Sequence, residues 1–175
     1  VKPIIIDRGK AECKENIVLG DDVDLNQFPV PMIHDGDQGR YFGTWDTVVS
    51  YDPEKDWTNW GMYRFMIHSE KLLTGYPTPH SHLGMTLMNQ FVPKNKPMPI
   101  AIVIGADPIC PMVSTAGYGI GQNEVDYAGA LRQKPVELVK CETSDLLVPA
   151  HSEIIIEGDI LPNRTALEGP FGEYP

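Results

Sequence analysis

Sixteen prolines in 175 residues constrain this chain more than any other feature. Each one fixes its own φ, removes a backbone N–H and turns the preceding residue away from helix. Sixteen glycines interrupt the same chain. Long helices are excluded at that density, leaving short strands, turns and a few short helices. A hydrophobic share of 42% still permits one core of ordinary domain size without covalent staples.

The apolar pattern agrees. "TWDTVVSY" (44–51), "NWGMYRFMI" (59–67), "PVELVKCE" (135–142) and "SEIIIEGDI" (152–160) carry the β-branched and aromatic content of strands. "PIAIVIG" (99–105) is apolar throughout and predicts a strand buried on both faces. Two helices are predicted, 81–92 capped by Ser81 and 123–133 capped by Asn123. Residues 1–26 read as a short strand plus a connecting segment, and 26–41 as an extended stretch over the body of the domain. Strands outnumber helices, so the expected class is a β-rich α+β fold, an antiparallel barrel with short helices packed on it.

The formal net charge of −10 argues against nucleic acid or an anionic membrane as partner. An anionic ligand would need a local Arg or Lys, a helix N-terminus or a bridging metal ion. Cys13, Cys110 and Cys141 are odd in number and widely spaced, which predicts idle thiols rather than disulfides or a thiolate zinc site. No stretch has the length of a membrane span, and a reducing cytoplasm is the expected setting. The chain opens without Met and ends just after a charged motif, so a piece of a longer protein is expected.

Four stretches carry candidate chemistry. Arg64 interrupts the apolar strand "NWGMYRF"; a lone Arg there usually faces solvent. Strand alternation alternatively puts Arg64 beside Trp60 and Met62, opposite Asn59, Gly61 and Tyr63, where a partly buried Arg needs an anion. His80 and His82 could ligate a metal as a pair or singly, or be surface residues. Glu124 and Asp126 suit the first turn of a helix for dipole reasons alone, although Glu124 could instead ligate a metal. Glu168 and Glu173, separated by Gly-Pro-Phe-Gly, could converge on one cleft with split pKa values or simply flank a loop.

Taken in order, "DVDLNQFPVP", "DGDQGRY", "TNWGMYR", "HSHLGM", "PMPIAIVIGADP", "NEVDYAGAL", "VPAHSEIIIEGDI" and "EGPFGEYP" resemble the UbiD family of reversible decarboxylases along nearly the whole chain. The resemblance implies a split β-barrel of the flavin-binding type and prenylated FMN as cofactor. It implies metal ligation by Asn59, His82 and Glu124, with Mn2+ or Mg2+ on the cofactor phosphate and K+ nearby. Gly61, Met62, Tyr63, Arg64, Ser81, Ser114 and Thr115 match cofactor-contacting positions, and Arg64, Glu168 and Glu173 match the catalytic trio. In that trio Arg64 holds a carboxylate, Glu168 braces Arg64, and Glu173 gives a proton from a pKa tuned by partial burial.

The resemblance further implies that residues 1–175 form the core cofactor-binding domain, with 1–26 leading in from a missing N-terminal domain and a C-terminal domain absent. Alone it would be weakly active or inactive. The implied substrate is an aromatic, heteroaromatic or α,β-unsaturated acid, with Trp60, Met62, Phe65 and Phe171 as flat apolar neighbours. A flavin prenyltransferase would supply the cofactor, and the whole protein would be a homo-oligomer. Competing readings are a non-catalytic flavin-binding barrel, a two-carboxylate hydrolase of the glycosidase kind, and a purely structural domain.

Overall fold

The computed structural model describes residues 1–173; Tyr174 and Pro175, which close the last quoted motif, lie outside the described residues. The fold is mixed α+β and rich in strands. β1 (Ile4–Ile5) is followed by four 3-10 turns and an irregular, proline-bearing stretch that leads into β2 (Tyr41–Gly43). Next come β3 (Thr47–Asp52), β4 (Trp57–Gly61), β5 (Phe65–Ser69) and β6 (Leu72–Gly75). α1 (His82–Thr86), β7 (Met98–Ile104), α2 (Ile109–Ser114) and α3 (Glu124–Arg132) precede β8 (Glu137–Lys140), β9 (Leu147–Pro149) and β10 (Ile154–Ile160).

These strands form three open sheets, ordered β10-β7-β3-β4, β2-β5-β6 and β1-β8-β9. Hydrogen-bonded strands do not close into a ring among the described residues. The first sheet is antiparallel, pairing Val48 with Gly61 and with Ile102. Its central strand β7 is buried on both faces, as its unbroken apolar run predicts. Ala101 and Val103 pack with Val49, Trp60, α2 and α3, while Ile100 and Ile102 pack with Val48, Phe65 and Leu83 on the other side.

Three elements depart from expectation. The strand expected over 59–67 breaks at Met62–Arg64, because β4 belongs to the first sheet and β5 to the second. Facing Arg64 by continuing the alternation from Asn59 is therefore wrong. The helix expected over 81–92 is α1 followed by a π-helical turn, Leu87–Phe91, with Pro93 two residues beyond. Ser81 does cap it, accepting from Gly84 N at 3.1 Å. α2 was not anticipated, since Pro108 and Pro111 argue against helix. Pro108 is its N-cap and Pro111 lies in its first turn, where a missing N–H costs nothing.

Candidate active site

The β4–β5 break lifts Arg64 out of either ladder and points it at the chain's last loop. Arg64 Nε and Nη2 donate to Glu168 at 2.9 and 3.0 Å, while Nη1 and Nη2 donate to Glu173 at 2.7 and 3.0 Å. One guanidinium is thus bracketed by two bidentate carboxylates. The Arg64 side chain is 27% exposed, Glu168 11% and Glu173 57%, so the trio runs from half-buried to open. Positive φ at Gly169 (83°) and Gly172 (66°) lets the intervening loop curl so that both acids reach the same cation. The arrangement overturns the solvent-facing reading of Arg64 and the loop-flanking reading of the two glutamates.

Electrostatics follow from the contacts. The two carboxylates push the Arg64 guanidinium further up, and Arg64 holds Glu173 below the usual carboxylate range. The partial burial expected to tune Glu173 is absent, because the loop leaves it exposed and Arg64 sets its proton affinity instead. Tyr41 and Phe171, ring centroids 4.3 Å apart, lie 5.9 and 5.8 Å from the guanidinium carbon and wall one side of it. Burial first, then Glu168, pushes the Tyr41 phenol up to about 12. Tyr41 stood in the sequence only as the end of "DGDQGRY"; nothing in its spacing linked it to Arg64.

A second cluster forms at the outer edge of β4. His82 Nδ1 lies 3.1 Å from Asn59 Oδ1, and the His82 ring packs edge-on to Trp57 at 4.9 Å. Glu124 Oε2 accepts from the Trp60 backbone N–H at 2.9 Å, so the first residue of α3 caps the free edge of β4 next to Asn59. Glu124 is 2% exposed and, among the described residues, has no Lys or Arg partner. Burial pushes its carboxyl up and the His82 imidazolium down, leaving a neutral ring nitrogen and an uncompensated acid.

This donor set fits a cation. Asn59 Oδ1 and His82 Nδ1 face each other at 3.1 Å, and two oxygens plus one imidazole are donor types that suit Mn2+ or Mg2+. Among the described residues no three of His, Cys, Asp and Glu gather as a metal cluster; here the third donor is an amide. His80, the other histidine of the predicted pair, is exposed.

The remaining positions divide. Tyr63 accepts from Leu83 N at 3.3 Å through its hydroxyl, so its ring reaches from the strand break to the start of α1. Gly61 is required by that ring, since a Cβ would lie 2.5 Å from it. Met62 is half-buried in the break itself. Ser81 spends its hydroxyl on the α1 cap and on Thr78 O at 2.7 Å. Ser114 turns inward, donating to Cys110 O at 2.8 Å, while Thr115 is exposed and donates to Met112 O at 2.8 Å. Trp60 and Phe65 belong to the two core clusters, 2% and 6% exposed, which rules them out as pocket walls in this chain.

The strand-rich α+β core has clear counterparts. Residues 4–175 match the family model described as the UbiD 3-octaprenyl-4-hydroxybenzoate carboxy-lyase Rift-related domain. The chain belongs to the UbiD family. It is 41% identical over 176 residues to pyrrole-2-carboxylic acid decarboxylase of Pseudomonas aeruginosa, covering 99% of this chain and 34% of that protein. Ferulic acid decarboxylase 1 of Saccharomyces cerevisiae is 36% identical over 172 residues, 98% of this chain and 34% of the relative. The UbiD-class enzyme HmfF of Pelotomaculum thermopropionicum, in complex with FMN, superposes with a TM-score of 0.93 at 36% identity, over 100% of this chain and 39% of that one. The chain therefore spans about a third of the length of the curated relatives it matches. No helix among the described residues is long and apolar enough to cross a membrane.

Proposed function

We propose that this chain is the cofactor-binding core of a prenylated-FMN-dependent decarboxylase acting on an aromatic, heteroaromatic or α,β-unsaturated acid. The observation that carries the proposal is Arg64 held between Glu168 and Glu173, supported by relatives named for decarboxylating such acids. A second HmfF structure holds prenylated FMN, which supports the same cofactor here. When bound, that flavin supplies the electron sink for the pair left behind as CO2 departs. Asn59, His82 and Glu124 would hold a Mn2+ or Mg2+ ion against its phosphate, with K+ alongside. The split-barrel form of the domain belongs to the same proposal.

The trio's own work follows from donor counting. A guanidinium has five N–H groups, and four contacts here already go to two carboxylates. One N–H is left over, so a substrate carboxylate that binds Arg64 through two donors must displace one of these carboxylates, and Glu173 is the more exposed. Glu168 stays and keeps Arg64 aimed. Once displaced, Glu173 loses the cation that holds its proton affinity down, and covering by bound substrate and flavin would raise that affinity further, so that it takes up a proton from solvent. It then delivers that proton from Oε to the carbon that has lost CO2 and returns to Arg64 as a carboxylate. A two-carboxylate hydrolase fits worse: its acid must stay protonated before substrate binds, and Arg64 keeps Glu173 ionised.

The test is a panel of phenolic, heteroaromatic and cinnamic-type acids given to the intact protein loaded with prenylated FMN. CO2 release from at least one class is expected. Flavin loading with no turnover across the panel would favour a non-catalytic flavin-binding domain instead.

A further inference from the structure

"DGDQGRY" is one of the quoted motifs to which the catalytic proposal gives no task, and its second acid, Asp37, lies under the catalytic loop. The Asp37 side chain is fully buried, at 0% exposure. Oδ2 accepts from the backbone N–H of His34 at 3.0 Å, and the His34 ring nitrogen Nδ1 lies 3.0 Å from the same oxygen. Both contacts close its own turn. A further contact reaches 135 residues along the chain: Oδ1 accepts from the backbone N–H of Gly172 at 3.0 Å. Gly172 is the residue before Glu173. Next to Asp37, the Gln38 backbone N–H donates to Pro170 O at 3.0 Å. Four residues beyond Asp37, Tyr41 packs on Phe171.

We propose that Asp37 is a positioning residue that fixes Glu173 on Arg64 by holding the Gly172 amide. The ion pair alone leaves the loop backbone unfixed, because Glu173 is more than half exposed and its side chain can leave Arg64 for solvent. Consecutive Cα atoms are about 3.8 Å apart, so an anchored Gly172 confines the Glu173 side chain to a small arc around the guanidinium. Gly172 adopts a positive φ that only the loop's other contacts would otherwise maintain. The same anchor leaves the Glu173 side chain free to leave and rejoin Arg64 while its backbone stays in place. The catalytic consequence rests on the decarboxylase proposal; the anchor rests on the hydrogen bonds alone.

The experiment combines hydrogen exchange and steady-state kinetics on the intact protein, comparing wild type, Asp37→Ala and Asp37→Asn. Asp37→Ala should speed amide exchange in 168–173 by at least about tenfold and lower kcat on the order of 100-fold, as a displaced reacting group does. KM should change less than about threefold, since Arg64 and Glu168 remain, and Tm should fall only as far as the lost His34 and Gly172 hydrogen bonds require. Asp37→Asn keeps a carbonyl oxygen for the Gly172 amide and should recover part of both losses; it also serves if the Ala variant fails to fold. Unchanged exchange in 168–173 would overturn the anchor. So would a loosened loop with wild-type kcat, or exchange raised along the whole chain with a fallen Tm. A wild-type protein that decarboxylates nothing removes the catalytic proposal alone, and the loop's exchange still decides the anchor.

Discussion

Arg64 is used as a fork rather than as a charge: its two edges meet two carboxylates at 2.7–3.0 Å. Lysine offers one compact ammonium and no second edge. Arg64→Lys should therefore keep the fold but lower kcat/KM by about 100-fold, measured by CO2 release on the intact protein. Near-normal turnover would show that charge alone suffices. Asp46 makes a separate residue-scale prediction. It is 1% exposed, accepts from Tyr63 N at 3.3 Å through Oδ1, and burial pushes it up to about 7. The folded protein thus keeps a proton that the unfolded chain releases above pH ~4. Stability from this group is complete below that pH and is lost as pH rises toward about 7. Asp46→Asn should flatten the fall in Tm between pH 5 and pH 8; the same slope in both proteins would contradict the burial argument.

At the scale of elements, the β4–β5 break is what makes the site. It lifts Arg64 from the ladder, places the Tyr63 ring over Gly61, and lets the Tyr63 amide bond to Asp46. Gly61→Ala puts a methyl 2.5 Å from that ring. A loss of about 1–3 kcal/mol is expected from the denaturation midpoint at unchanged m. No loss would mean that the ring moves freely. Legibility in the sequence divides along the same lines. β7 is readable because its apolar run has no polar alternation to confuse it. The break is not, because "NWGMYRFMI" has strand composition on both sides and nothing local says that two sheets share it. α2 is hidden by prolines that are harmless in a first turn. Arg64, Glu168 and Glu173 lie 104 and 109 residues apart, and only a family resemblance, not spacing, joins them. Asp37 and Tyr41 were visible as parts of a motif but not as supports of the loop.

At the scale of the molecule, two candidate clusters hang on one four-stranded sheet. The trio leaves it at the end of β4, while the Asn59–His82 pair and Glu124, on the Trp60 amide, lie along the same strand. A cofactor that touches both must lie along β4, which predicts that the two clusters can be uncoupled. His82→Ala should lower the flavin retained by the purified intact protein, read from its absorbance; an unchanged spectrum would argue against the metal assignment. Glu173→Gln should leave the retained flavin unchanged and remove turnover, since the amide is isosteric and lies outside the Asn59–His82–Glu124 cluster. The most direct measurement is CO2 release by intact Glu173→Gln loaded with prenylated FMN, on an acid that the wild type consumes. Flavin retained at the wild-type level with turnover lost is the expected result. Turnover at the wild-type rate would contradict the role given to Glu173 and, with it, the catalytic reading of the trio.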